Sequence, residues 1–155
     1  PPPPRRSSAL TREIHFSGAN NPLYILRKKS VPEQIDLEPF ASVDNGEFRL
    51  FELKGDKQPI GTHWEETPFR TTSVKLRDED SFYMFSDGYI DQFGGEHRKK
   101  FKSMNFKKLL LSVQGESMDT QRLKLEETFD QWRGPNEQLD DIILLGVTNI
   151  LQYIY

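Results

Sequence analysis

The chain of 155 residues contains no cysteine. Disulfide frameworks and thiolate zinc sites are thereby excluded, and a reducing cytosol is the simplest setting. It has no apolar run near the ~20 residues that a membrane-spanning helix requires. Its start, Pro1-Pro-Pro-Pro-Arg-Arg-Ser-Ser8, has no apolar core for a signal peptide, so the chain reads as soluble, cytoplasmic and not exported. Net charge is equally scarce, since 21 Lys and Arg against 24 Asp and Glu leave only -3. No whole-molecule field attracts nucleic acid or an anionic membrane. Signatures of several enzyme classes are missing as well: there is no Ser-His-Asp pattern, no nucleotide-cradling glycine loop and no zinc motif. His15 and His63 stand in strand or turn contexts without neighbouring ligands and read as structural, and Trp64 and Trp132 read as packing residues.

What is present suffices for one domain. At 35% hydrophobic and 12% aromatic, a chain of this length can bury most of the surface its unfolded form exposes. Residues 1–9 are Pro-, Arg- and Ser-rich and read as a flexible arm or expression remnant, leaving residues 10–155 as the folded part. Leu10, Ile14 and Phe16, the turn cluster Ser17-Gly-Ala-Asn-Asn21 and the run Leu23-Tyr-Ile-Leu26 predict a hairpin. Lys28 to Gly46, with two prolines and little periodicity, reads as a long connection. Strands are expected from Phe48 to Leu53 and from Phe69 to Leu76, and Ser81-Phe-Tyr-Met-Phe-Ser86, apolar on both faces, reads as a central strand.

Beyond Gly95 the period changes. Asn105 is placed to cap a helix whose apolar residues Phe106, Leu109, Leu110 and Val113 recur at helical spacing, closed by Gly115. Ser117 is placed to cap a second, with Met118, Leu125, Phe129 and Trp132 on a common face and Gly134-Pro135 as its stop. Ile142 to Val147 reads as a further buried strand, followed by a short aromatic tail to Tyr155. Strands first and helices afterwards predict an α+β fold, a mostly antiparallel sheet with C-terminal helices on one face.

Two acidic motifs border buried strands instead of lying on a solvated helix face. Asp87-Gly88 follows the strand ending at Ser86, and Asp140-Asp141 precedes the strand starting at Ile142. If these strands are antiparallel neighbours, the end of one lies beside the start of the other, about 4.8 Å away, and Asp87 and Asp140 share one rim. Carboxylates with no His or Cys beside them suit Mg²⁺ or Mn²⁺ better than Zn²⁺. Taken singly, each motif is ordinarily a turn or a solvated loop. The basic run His97-Arg-Lys-Lys-Phe-Lys102 reads as a solvated loop in preference to a nucleic-acid site, because no stacking motif accompanies it.

The stretch Phe82-Tyr-Met-Phe-Ser-Asp-Gly-Tyr-Ile-Asp-Gln-Phe-Gly-Gly95, together with Gln138-Leu-Asp-Asp-Ile-Ile-Leu-Leu-Gly146, resembles the two C-terminal motifs of the metal-dependent protein phosphatase (PPM) family in its SpoIIE-like bacterial branch. Phe16-Ser-Gly-Ala-Asn-Asn-Pro-Leu-Tyr24 and Lys54-Gly-Asp-Lys-Gln-Pro-Ile-Gly61 look like the same branch upstream. The resemblance runs from about Leu10 to Val147 and implies part of an α-β-β-α sandwich. It also implies a signalling enzyme that hydrolyses phosphoserine or phosphothreonine in a phosphoprotein substrate, using water activated by Mn²⁺ or Mg²⁺. Asp87 matches one metal-ligand aspartate and Asp140 another, with Asp141 beside it in a supporting place. The family's first Asp-Gly pair and its glycine-rich acidic motif have no counterpart here, so the resemblance is to the C-terminal half of the domain. An inactive fragment is expected, whose partner is the missing N-terminal half and whose exposed sheet edges invite homo-oligomers. The competing reading is a non-catalytic interaction module with the same fold.

Overall fold

The computed structural model describes residues 12–30, 36–61 and 67–148. The arm at 1–9, Leu10, His63, Trp64 and the tail to Tyr155 lie outside the described residues. In chain order the elements are β1 (Glu13–Phe16), β2 (Leu23–Lys28), β3 (Ala41–Asp44), β4 (Phe48–Leu53), β5 (Thr72–Lys75) and β6 (Ser81–Phe85). A four-residue helix α1 (Gly88–Asp91) and the short strands β7 (Phe93–Gly94) and β8 (Lys99–Lys100) follow. The chain then forms α2 (Ser103–Val113), α3 (Met118–Arg133) and β9 (Leu144–Thr148).

Five strands make one antiparallel sheet in the order β3-β4-β2-β6-β9. Successive side chains of a strand point to opposite faces, and β2 shows the consequence. Tyr24 and Leu26 enter the core beneath the helices, with Phe85 from β6, Phe106 and Leu110 from α2 and Phe129 from α3. Leu23 and Ile25 enter a second core with Leu37, Phe51, Leu53 and Val74. That second face is covered by a two-stranded β1–β5 ribbon, whose Ile14 and Phe16 pack onto it. The α+β class with an antiparallel sheet and helices on one face is therefore the observed one.

Aromatic rings knit the helix-side core. Phe85 and Phe106 meet edge to face at 4.8 Å, Tyr89 lies 4.9 Å from Phe106 and 5.0 Å from Phe129, and Phe101 meets Trp132 at 5.4 Å. Each such pair adds about 0.5–1.5 kcal/mol to the burial of its rings. Trp132 is a packing residue, as its sequence context predicts.

The hairpin expected between Leu10–Phe16 and Leu23–Leu26 does not form. β1 pairs with β5, Ile14 opposite Val74, while β2 pairs with β4 and β6. The turn between β1 and β2 is held sideways: Asp56 N–H donates to the Gly18 carbonyl and Asn20 N–H to the Asp56 carbonyl, both at 2.8 Å. A Cβ on Gly55 would sit 2.9 Å from the Gly18 carbonyl, so the two turns interlock only because both are glycines. The interlock carries the chain from one layer to the other.

Other expectations shift in their boundaries. The connection from Lys28 to Gly46 contains strand β3, which folds back on β4 through Asn45-Gly46, and Gly46 adopts φ +95° there. Asn45 Oδ1 accepts from Phe48 N–H at 2.8 Å. Helix α2 begins at Ser103, not beside Asn105, whose amide donates to the Phe101 carbonyl at 2.7 Å instead of capping. Ser117 caps α3 as expected, accepting from Thr120 N–H, and Gly134 closes it at φ 53°. A buried charge was not foreseen. Arg27, 0% exposed at the end of β2, is satisfied by Asp80, Asp36 and the Lys75 carbonyl.

Candidate functional site

The site lies where β6 leaves the sheet. Its antiparallel pairing with β9 sets Phe85 opposite Leu144, which meets the condition for the two acidic motifs to share a rim. Contact continues past the strands. Ser86 N–H donates to the Ile143 carbonyl at 2.9 Å, Ser86 Oγ donates to the Asp141 carbonyl at 2.9 Å, and Ile143 N–H returns a bond to Ser86 Oγ at 3.0 Å. Gly88 then passes so close that a Cβ there would stand 2.5 Å from the Asp141 carbonyl oxygen. The residues flanking Asp87 on both sides thus touch the backbone beside Asp140.

Asp87 is exposed and occupies the N-cap position of α1, yet its side chain makes no capping bond. Its carbonyl accepts from Asp91 N–H at 2.9 Å, closing the helical turn. Asp140 is exposed on the loop before β9, with Oδ1 accepting from Asp141 N–H at 2.8 Å and its carbonyl accepting from the Gln138 amide at 2.9 Å. Both carboxylates face solvent from a rim fixed by backbone contacts.

One sequence expectation about this region needs adjusting. The final strand starts at Leu144, not Ile142, so Asp140 and Asp141 stand on the approach to the strand. Ile142 is half-buried under the helices and Ile143 is exposed. The loop Gly134–Asp140 is anchored by Gln92, a buried side chain that pattern reading passed over because glutamine has no characteristic spacing.

Among the described residues no group of three or more His, Cys, Asp or Glu converges to hold a metal. The hard oxygens of Asp87 and Asp140 fit Mg²⁺ or Mn²⁺ in kind and fall short in number. Lys100 Nζ approaches Asp91 at 2.9 Å and draws the nearby basic run toward an ion pair, with Lys99 and Lys100 exposed. His15 lies on β1 with Nδ1 2.8 Å from Ser73 Oγ, away from the rim. No helix among the described residues is long and apolar enough to cross a membrane.

The architecture defines a class. The chain is similar to a solved structure of the SiaA-PP2C domain of Pseudomonas aeruginosa, with 28% sequence identity and a TM-score of 0.70 over 89% of this chain. It spans 47% of that structure, about half its length. A search of curated proteins gave no match. The family model described as Stage II sporulation protein E (SpoIIE) matches residues 11–149, and the chain belongs to that PPM-type phosphatase family.

Proposed function

We propose that this chain is one half of a phosphoserine/phosphothreonine phosphatase site of the two-metal kind, with Asp87 and Asp140 holding Mn²⁺ or Mg²⁺. The observation that carries the reading is the clamp between Ser86-Asp87-Gly88 and Asp140-Asp141, which holds the backbones of the two motifs against each other. Bound metal would supply an activated water and neutralise phosphate charge. The chain's own part is geometric: the Ser86 hydroxyl ties the two approaches together, and Gly88 leaves room for the Asp141 carbonyl. Two carboxylates leave most of the six or so oxygen positions of such an ion to water, so the chain alone binds metal weakly and does not hydrolyse phosphopeptides. The remaining ligands are to come from a second half of the domain that this chain does not carry.

The test joins this chain to upstream sequence carrying an Asp-Gly pair and a glycine-rich acidic motif. Mn²⁺-dependent hydrolysis of a phosphoserine peptide is expected, absent from the isolated chain and reduced by orders of magnitude in Asp87→Asn. A joined protein that folds and binds Mn²⁺ but leaves phosphopeptides intact would make the chain a non-catalytic interaction module.

A further inference from the structure

Gln92 ends α1 and is 1% exposed. Its side-chain amide donates to the Glu137 carbonyl at 2.9 Å and to the Phe93 carbonyl at 3.0 Å, and its Oε1 faces Leu139 N–H at 3.4 Å. Its backbone carbonyl accepts from Trp132 Nε1 and from Phe101 N–H, each at 3.0 Å. The side chain is therefore rigidly rooted, and both ends of its amide are aimed at the loop between α3 and Asp140. Among the described residues, the other hydrogen bonds of residues 136–139 stay local: Asn136 bonds Arg133, and Gln138 bonds Asp140. Among the described residues, no other hydrogen bond ties Glu137 or Leu139 across to the rest of the fold.

We infer that Gln92 is a positioning residue, holding the Asp140 loop in register with the turn that bears Asp87. The geometry makes this one device. The segment from Ser86 to Gln92 carries Asp87, grips Asp141 and Ile143 through Ser86 on one side of Asp140, and grips Glu137 and Leu139 through Gln92 on the other. Asp140 is the residue suspended between the two grips. Packing alone does not call for an amide here, since a methionine fills similar space; the amide is needed because a loop carbonyl requires a donor and a loop N–H an acceptor. The inference rests on the metal-rim reading of Asp87 and Asp140.

The test compares the parent chain with Gln92→Met by amide hydrogen exchange and by Mn²⁺-induced broadening of amide resonances. In the parent, millimolar Mn²⁺ is expected to broaden the amides around Asp87 and Asp140 together. Gln92→Met is expected to speed exchange from Leu139 to Asp141 by about tenfold relative to amides of β2 and α3, the effect of losing one or two hydrogen bonds. The Mn²⁺ concentration for half-maximal broadening should rise on the order of tenfold, as for other residues that orient a metal ligand. Where Gln92→Met does not fold, Gln92→Glu, which loses the donor to Glu137 but keeps an acceptor, is read the same way. Unchanged exchange at Leu139 to Asp141 would overturn the inference and leave the metal rim standing. Faster exchange with unchanged Mn²⁺ affinity would equally overturn it, by separating loop order from metal binding. A parent chain without broadening at Asp87 and Asp140 refutes the metal rim itself, a failure visible before any variant is made.

Discussion

Gly88 shows how little space separates the two acidic motifs. An added Cβ would meet the Asp141 carbonyl oxygen at 2.5 Å, its carbonyl carbon at 3.1 Å and Ile142 Cγ1 at 3.2 Å. Backbone cannot swing aside as the end of a long side chain can, so one of the two approaches must move. Gly88→Ala is expected to lower stability by about 1–3 kcal/mol, the range for overpacked sites, read as a lower urea midpoint at unchanged slope. A midpoint equal to the parent's would mean that the rim has slack. The position of Asp87, Gly88 and Asp140 beside apolar runs was legible in the sequence, while their candidacy as a site came from the resemblance to the phosphatase motifs. Gln92 was not legible, because its partners are backbone groups of Glu137 and Leu139, and no pattern of residue types encodes which carbonyl a buried amide will meet.

Among the elements, β9 carries exposed apolar residues at an edge of the main sheet. Its Leu145, opposite Met84 of β6, points away from the helices. Ile143 is 69% exposed, Leu145 48% and Met84 41%, a contiguous apolar strip beside an edge with no strand on its outer side among the described residues. Unpaired edge groups next to apolar surface are a template for another chain, and the isolated chain is expected to self-associate through this strip. Leu145→Lys should shift sedimentation toward the monomer while moving stability by no more than about 0.5 kcal/mol, as exposed substitutions do. If the variant associates as strongly as the parent, the contact lies elsewhere. Periodicity made most strands and both long helices readable, yet it is blind to pairing. β1 and β2 are adjacent in sequence and carry hairpin-like turn residues, but the interlock of Gly18 with Gly55 assigns them to different layers. β3 was unreadable for a related reason: Ala41-Ser-Val-Asp44 is short and largely exposed, and its extension comes from the ladder with β4, not from its own composition.

At the scale of the whole molecule, the helix-side core joins sheet, α2 and α3 through tyrosines, and this gives the fold a limit in alkaline solution. Burial raises the phenols of Tyr24, Tyr83 and Tyr89 above the usual tyrosine range, with Glu52 adding to the effect at Tyr24 and Asp130 at Tyr89. Two of the hydroxyls are also committed, Tyr89 donating to the Leu125 carbonyl at 2.8 Å and Tyr83 donating to Gln121. A folded-state pKa above the unfolded value means that the unfolded chain loses these protons first. The stability they contribute is intact below about pH 10, the ordinary tyrosine value, and is lost as pH rises beyond it. Each phenol that ionises only on unfolding removes about 1.4 kcal/mol per pH unit, so three together remove about 4. Urea unfolding at pH 9 and pH 11 is expected to show a steep fall in midpoint, reduced by about a third in Tyr89→Phe, which removes one of the three ionisations. Tyr24 and Tyr83 sit on β2 and β6, the strands at the centre of the sheet, and Tyr89 sits on α1 directly behind Asp87. Ionising any of them opens the core that holds the acidic rim in place, so amides at Asp87 and Asp140 should lose exchange protection over the same pH interval. An equal midpoint at both pH values would show that the phenols reach solvent without disturbing the core.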